Sequence, residues 1–201
     1  MTDLPILACG ALCSRLPRYD VGTVHVRTMS TLHLISGLPG SGKTTYAAHL
    51  QRETSAVLFS LDRWLITVYG RYSLEMVGSD EHVRRVRACR DLIWLSAAEL
   101  LRRDADVILD DGFFLREHRR RYADLAGALG AATRTHYIDT PLAELRARLV
   151  ARNSDLPPHN FRIDPGMLDS FTSIFERPDP SEGIALQTVE WSGSRLAAVA
   201  D

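Results

Sequence analysis

Residues 31–45 read Thr-Leu-His-Leu-Ile-Ser-Gly-Leu-Pro-Gly-Ser-Gly-Lys-Thr-Thr. The apolar run at 32–36 has the length of a buried strand. From Gly37 to Thr44 the chain fills every fixed position of the pattern GxxxxGK[ST]. Gly37, Gly40 and Gly42 allow backbone conformations that turn successive N–H groups toward one anion. A helix starting at the end of this loop adds its positive N-terminus. Lys43 places a cation on the β- and γ-phosphates, and Thr44 offers a hydroxyl to a magnesium ion. The spacing therefore predicts a phosphate cradle built from Gly37, Leu38, Pro39, Gly40, Ser41, Gly42, Lys43, Thr44 and Thr45. Its expected ligand is ATP, with GTP as the alternative, together with Mg2+.

Outward from this loop, strands and helices alternate. A helix is expected over residues 44–52 and a second strand over 56–61, closed by Asp62. A long helix follows at 80–103, where Val83, Val86, Ile93, Ala97 and Leu100 recur near helical spacing and Asp80 and Glu81 suit the positive end. A third strand at 106–109 ends in Asp110-Asp111-Gly112. Residues 116–129 read as a helix stopped by Gly130, 135–138 as a strand ending at Asp139, and 141–152 as a helix opened by Pro141. Residues 153–165 break the pattern with three prolines; a last helix at 166–175 and a fifth strand at 184–190 follow. This order predicts an α/β fold of the P-loop NTPase type, three layers α/β/α, with a mainly parallel five-stranded sheet. Ligands of such sheets bind beyond the carboxyl ends of the strands, where the loop, Asp62, Asp110 and Asp139 all fall.

The 201 residues suit one domain at 29–201, preceded by an N-terminal arm at 1–28 that is either an addition or the product of a start placed too early. A net charge of −1 argues against a domain built for nonspecific nucleic-acid binding. Cys9, Cys13 and Cys89 form neither a metal-ligand set nor a disulfide framework, which points to the reducing cytoplasm. No run has the length of a membrane span, and no obligate protein partner is evident. The seven histidines include no HxxxH pair, so no metal site is expected from them.

Several charged residues compete for roles at the strand ends. Asp62 reads either as a general base that takes the proton of an attacking hydroxyl or as the N-cap of a helix beginning at Arg63. Val107-Ile108-Leu109-Asp110 is an apolar strand ending in a carboxylate, the arrangement in which the acid helps to hold magnesium; Asp111 is the alternative for that role. Arg84, Arg85, Arg87 and Arg90, and then Arg116, Arg119, Arg120 and Arg121, read mainly as solvated helix faces. Arg146, Arg148 and Arg152 precede the irregular segment, and the region near 146–165 is expected to act as a lid that brings an arginine onto the transferred phosphoryl group.

The phosphate loop, Ser-Leu-Asp-Arg at 60–63, Ile-Leu-Asp-Asp-Gly-Phe-Phe-Leu-Arg-Glu-His-Arg at 108–119 and Leu-Arg-Ala-Arg-Leu-Val-Ala-Arg-Asn at 145–153 together resemble the zeta-toxin-like group of small P-loop kinases. Members often carry the label AAA domain, but the group is similar to polynucleotide kinase and chloramphenicol phosphotransferase, not to ring-forming ATPases. Phe175-Glu176-Arg177-Pro178 and Glu182-Gly183 resemble other members as well. The resemblance implies Lys43 and Thr44 on ATP and magnesium, Asp62 as the acceptor base, Asp110 near the metal, and Arg119 touching phosphate or substrate. Arg148 and Arg152 fall in the region that resembles the family's lid. One departure is Leu65, which stands where polynucleotide kinases carry an arginine three positions after the base; it disfavours a nucleic-acid acceptor. Phe113 and Phe114 suit either a partly apolar substrate or the core. The expected function is transfer of the ATP γ-phosphate to a hydroxyl of a small molecule. The alternatives are a kinase for a nucleotide sugar, nucleoside or polynucleotide end, and a noncatalytic nucleotide-gated module.

Overall fold

A computed structural model describes residues 29–191 and 196–198; the expectation for residues 1–28 lies outside the described residues. The elements run β1 Thr31–Ser36, α1 Lys43–Thr54, β2 Val57–Ser60, α2 Leu61–Tyr69, α3 Leu74–Val77, α4 Ser79–Arg102, β3 Val107–Gly112, α5 Arg116–Gly127, β4 Ala132–Asp139, α6 Leu142–Ser154, α7 Pro165–Ile174, a single 3-10 turn at Pro180–Glu182, β5 Ala185–Trp191 and β6 Leu196–Ala198. The sheet order is β2-β3-β1-β4-β5-β6. The first five strands pair in parallel, as expected, and the short β6 adds an antiparallel edge that the sequence reading did not include. α3 is likewise new; four residues are too few to show a period.

β1 and β3 are neighbours; the chain leaves β1 toward β2 on one side of the sheet and leaves β3 toward β4 on the other. Ligands of such sheets bind at this switch point, and the loop after β1 lies at the same strand ends. Alternation along the strands sorts the core into two faces. Leu32, Leu34, Val107 and Leu109 pack with Leu61, Leu65, Cys89, Ile93, Ala97 and Ala126 from α2, α4 and α5. On the other face Ile35, Ile108, Ile138 and Val189 meet Tyr46 and Ala47 of α1. That second face also buries a polar chain. Tyr46 Oη lies 2.8 Å from His136 Nδ1, and His136 Nε2 lies 2.9 Å from His33 Nδ1. Burial lowers both imidazoles, His136 to about 3, so both are neutral links.

A third cluster joins α6 and α7 to the phosphate loop. Leu145 and Leu149 of α6 pack with Ile163 and Leu168 and against Leu38. α6 runs two residues beyond the expected end, and the irregular stretch is confined to residues 155–164. Pro141 occupies the N-cap position, one residue before the first helical turn.

Candidate active site

β1 ends in a loop whose three glycines adopt the backbone the sequence demanded. Gly37, Gly40 and Gly42 have φ of 149°, 84° and 98°. A Cβ on Gly37 would lie 2.9 Å from Ser41 Oγ and 3.0 Å from the Ile138 carbonyl, so alanine there is blocked by contact as well as by φ. Gly42 caps α1, and Lys43 and Thr44 open it. Lys43 Nζ donates to the Leu38 carbonyl at 2.9 Å, across its own loop.

Thr44 Oγ1 donates to Asp110 Oδ2 at 2.8 Å, which joins the first turn of α1 to the tip of β3. Burial pushes the Asp110 carboxyl up; the Lys43 charge and hydrogen bonds from Thr44 and Ser60 hold it down. Burial likewise lowers the Lys43 ammonium, while Asp110 and Asp62 support its charge. A hydroxyl and a carboxylate in contact are the hard oxygen donors that magnesium prefers, and Thr44 and Asp110 are the residues that would hold it beside nucleotide phosphates.

Asp62 lies in the first turn of α2 rather than after a strand, because β2 ends at Ser60 and Leu61 is already helical. The N-cap position belongs to Ser60, and the Asp62 carboxylate makes no hydrogen bond among the described residues. The residue is exposed to water. Burial and then the Asp110 charge push its carboxyl up to about 6, against Lys43 and Arg152. One electrostatic field thus joins Asp62, Asp110, Lys43 and Arg152.

From α6, Arg148 reaches the loop: its Nη1 donates to the Ser41 carbonyl at 3.2 Å, and its Nη2 pairs with Glu144. Arg152 donates to the Phe161 carbonyl at 3.3 Å, while its Nε is buried with no partner among the described residues. Desolvation lowers this guanidinium, and Asp62 holds it up.

Two expectations change here, and a third resolves to one of its alternatives. Arg119, implied to touch phosphate or substrate, is fully buried. Its Nε and Nη2 grip Glu182 at 2.8 and 2.5 Å, and Nη1 donates to the Phe113 and Phe114 carbonyls. It is a strut that ties the segment before β5 to the tip of β3. Glu182→Gln, which strands that buried guanidinium, is expected to lower unfolding free energy by about 3–5 kcal/mol in urea titration; a shift below about 1 kcal/mol would show that the pair holds nothing. Asp111, the alternative metal carboxylate, is taken by Arg90, whose Nε and Nη2 bind it at 2.6 and 2.8 Å. Phe113 is core, edge-on to Tyr122, and Phe114 packs against Phe171 and Phe175. Asp139 accepts from Arg177 at 2.5 Å, in keeping with a strand-end role.

The sequence reading missed Ser60 as a partner of Asp110 and Arg90 as a partner of Asp111. Strand alternation was the available signal, since Asp110 and Asp111 must face opposite sides of β3.

The AAA domain family matches residues 32–178. No curated protein matches the chain. Among solved structures, a putative kinase from Chloroflexus aurantiacus is 19% identical with a TM-score of 0.64, over 81% of this chain and 89% of that one. Kti12 of Chaetomium thermophilum in complex with ADP-AlF3 is 18% identical with a TM-score of 0.62, over 80% and 89%. The Mycobacterium tuberculosis APS kinase CysC in complex with AMPPNP and APS is 19% identical with a TM-score of 0.51, over 83% and 90%. With the phosphate loop, the strand-tip carboxylates and this shared architecture in place, the chain belongs to the AAA domain family, on the fold of the small P-loop kinases.

Proposed function

We propose that the protein transfers the γ-phosphate of ATP to a hydroxyl of a small molecule. The observation that carries this reading is Asp62. It is a carboxylate with no hydrogen bond among the described residues, open to water, in the same field as Lys43 and the Thr44–Asp110 pair. A cap would be tied to backbone N–H groups, and a structural carboxylate would be paired. Solved relatives in fold that hold ADP-AlF3 or AMPPNP support a nucleotide in the cradle.

In this reading the loop N–H groups and Lys43 orient the β- and γ-phosphates. Magnesium, held by Thr44 and Asp110, would neutralise charge on them. Asp62 accepts the proton as the acceptor oxygen bonds to the γ-phosphorus; the bond from that phosphorus to the β–γ bridging oxygen breaks, and ADP leaves. Arg148 touches the loop, and Arg152 shares the field of Asp62, so both can meet charge that spreads over the transferred group. Leu65, where a polynucleotide kinase would place an arginine, is a buried core residue, which favours a small acceptor.

The test is γ-labelled ATP offered with a panel of hydroxylated metabolites and 5′-hydroxyl oligonucleotides, with mass spectrometry of labelled products. Label on a small molecule is the expected result. Label on the oligonucleotides would move the acceptor class, and label only in inorganic phosphate would make the protein a nucleotide-gated switch.

A further inference from the structure

The segment that follows α6 is held from two sides, and the two holds differ in kind. On the α6 side, Asn153 pairs with the backbone of Ile163 in both directions. Its Nδ2 donates to the Ile163 carbonyl at 2.7 Å, and the Ile163 N–H donates to its Oδ1 at 3.4 Å. The Ile163 side chain is buried with Leu145, Leu149 and Leu168, against Leu38 of the phosphate loop. A Cβ on Gly40 would lie 3.0 Å from Leu149 Cγ, so this cluster sits directly on the loop. Buried apolar packing beside a two-way hydrogen bond makes a fixed end.

On the other side the hold is at the surface. Exposed Arg71, in the connection between α2 and α3, donates from Nη2 to two consecutive carbonyls, Pro157 at 2.8 Å and Pro158 at 3.0 Å. The Pro157 carbonyl also accepts the Asn160 N–H at 3.2 Å, which closes a turn over 157–160. Two adjacent prolines have fixed φ and no N–H, so this stretch is stiff, and its backbone is held through carbonyls alone. Phe161 is the joint between the two holds. Its carbonyl accepts from Arg152 at 3.3 Å, and its ring meets Tyr72 edge-on with centres 5.2 Å apart. Tyr72 is itself fixed, under the Arg85 guanidinium at 4.8 Å and with its hydroxyl 3.1 Å from His82 Nδ1. Phe161 also packs on the core cluster that includes Leu61 and Leu65, the α2 residues that flank Asp62.

Residues 155–164 therefore cross from the phosphate loop to the connection after α2. Segments whose hydrogen bonds are few and exposed to solvent open before those with buried contacts. The strap thus has a hinge at Asn153 and Ile163 and a free end at residues 157–160, closed by one arginine. Swinging that end out uncovers the flank of α2 and leaves the packing on the phosphate loop untouched. We propose that Arg71 latches this strap, and that release of the latch sets how fast the acceptor enters beside α2 without opening the nucleotide side. The acceptor role rests on the kinase reading; the hinge and the latch do not.

Arg71→Ala removes both hydrogen bonds from an exposed position and is compared with the native full chain. Amide exchange followed by NMR has a reporter at each end: the Asn160 N–H for the latched turn and the Ile163 N–H for the hinge. Asn160 is expected to exchange about tenfold faster in Arg71→Ala, with Ile163 within about twofold of native, and Arg71→Lys, which keeps a donor, to recover most of the difference. Equal Asn160 rates in the native chain and in Arg71→Ala would overturn the latch. Ile163 rates that rise as much as those of Asn160 would overturn the hinge. Release of N-methylanthraniloyl-ADP is expected to stay within about twofold of native, and a rise matching that of Asn160 would overturn the separation of the two sides. For the acceptor side, the compound of the metabolite panel that takes label is offered to the ATP-loaded chain below its KM, where product formation follows entry. That rate is expected to rise at least about threefold in Arg71→Ala, and an unchanged or lower rate would overturn the gate. A native chain that labels nothing in the panel would sink the kinase reading and the acceptor role with it, while the exchange rates still decide the latch.

Discussion

Lys43→Ala is expected to abolish phosphoryl transfer and to weaken ATP–magnesium binding about ten- to a hundredfold, the range set by losing a charge-assisted contact of about 1.5–3 kcal/mol. Half-buried Lys43 shares the field of Asp110 and Asp62. Without its cation, those two carboxylates face the polyphosphate unopposed. The fold should tolerate the change, because the side chain's hydrogen bond is one contact to the Leu38 carbonyl of its own loop. Titration calorimetry on a variant with a native circular dichroism spectrum is the measurement. Affinity within twofold of the native chain would mean that nucleotide binds elsewhere.

What was legible in the sequence follows from how local each cause is. The loop was fully readable because its chemistry depends on backbone freedom at Gly37, Gly40 and Gly42, and all three adopt positive φ. The parallel core was readable because alternating apolar strands and helices leave few other arrangements. Leu61 shows the first limit. It extends an apolar run and so looked like strand, yet it begins α2, which turns Asp62 from a strand-end residue into a first-turn residue. The second limit is partnership across the chain. Arg119 lies in a motif that pointed to ligand contact, and nothing near it announces Glu182, 63 residues away. Arg90 looked like one more charge on a solvated helix, until Asp111, 21 residues on, was seen to hold it. The likeness of Phe175-Glu176-Arg177-Pro178 to related chains now has a physical account. Phe175 stacks on Tyr137, the Glu176 N–H donates to the Phe114 carbonyl, and Arg177 binds Asp139 while covering the Tyr137 ring. The segment straps the tips of β3 and β4.

Asp62→Asn separates a base from its rivals on one preparation. Asparagine keeps the size of the side chain but does not take the acceptor proton. Transfer is therefore expected to fall on the order of a hundredfold or more, while ATP–magnesium affinity stays near its native value and the melting temperature does not fall. The melting temperature should not fall, because the carboxylate makes no hydrogen bond among the described residues and caps no helix, and at neutral pH it should rise, because the substitution removes an anion that burial and the Asp110 charge disfavour. If Asp62 held the metal instead, affinity and rate would fall together. The pH profile supplies a second, independent readout. Burial and the Asp110 charge raise the Asp62 carboxyl to about 6, so its protonated, inactive form persists well above the pH at which an ordinary aspartate, near 4, has ionised. The native chain's kcat/KM, which reports ionisations of the free enzyme, should fall as pH drops through about 6 and level off above it. An aspartate without these neighbours would place that fall about two units lower. In Asp62→Asn the residual activity should lose this limb of the profile, since the titrating group is gone. Near-native transfer by the asparagine variant, or an acid limb that survives the substitution, would remove Asp62 from proton transfer and give that task to another group.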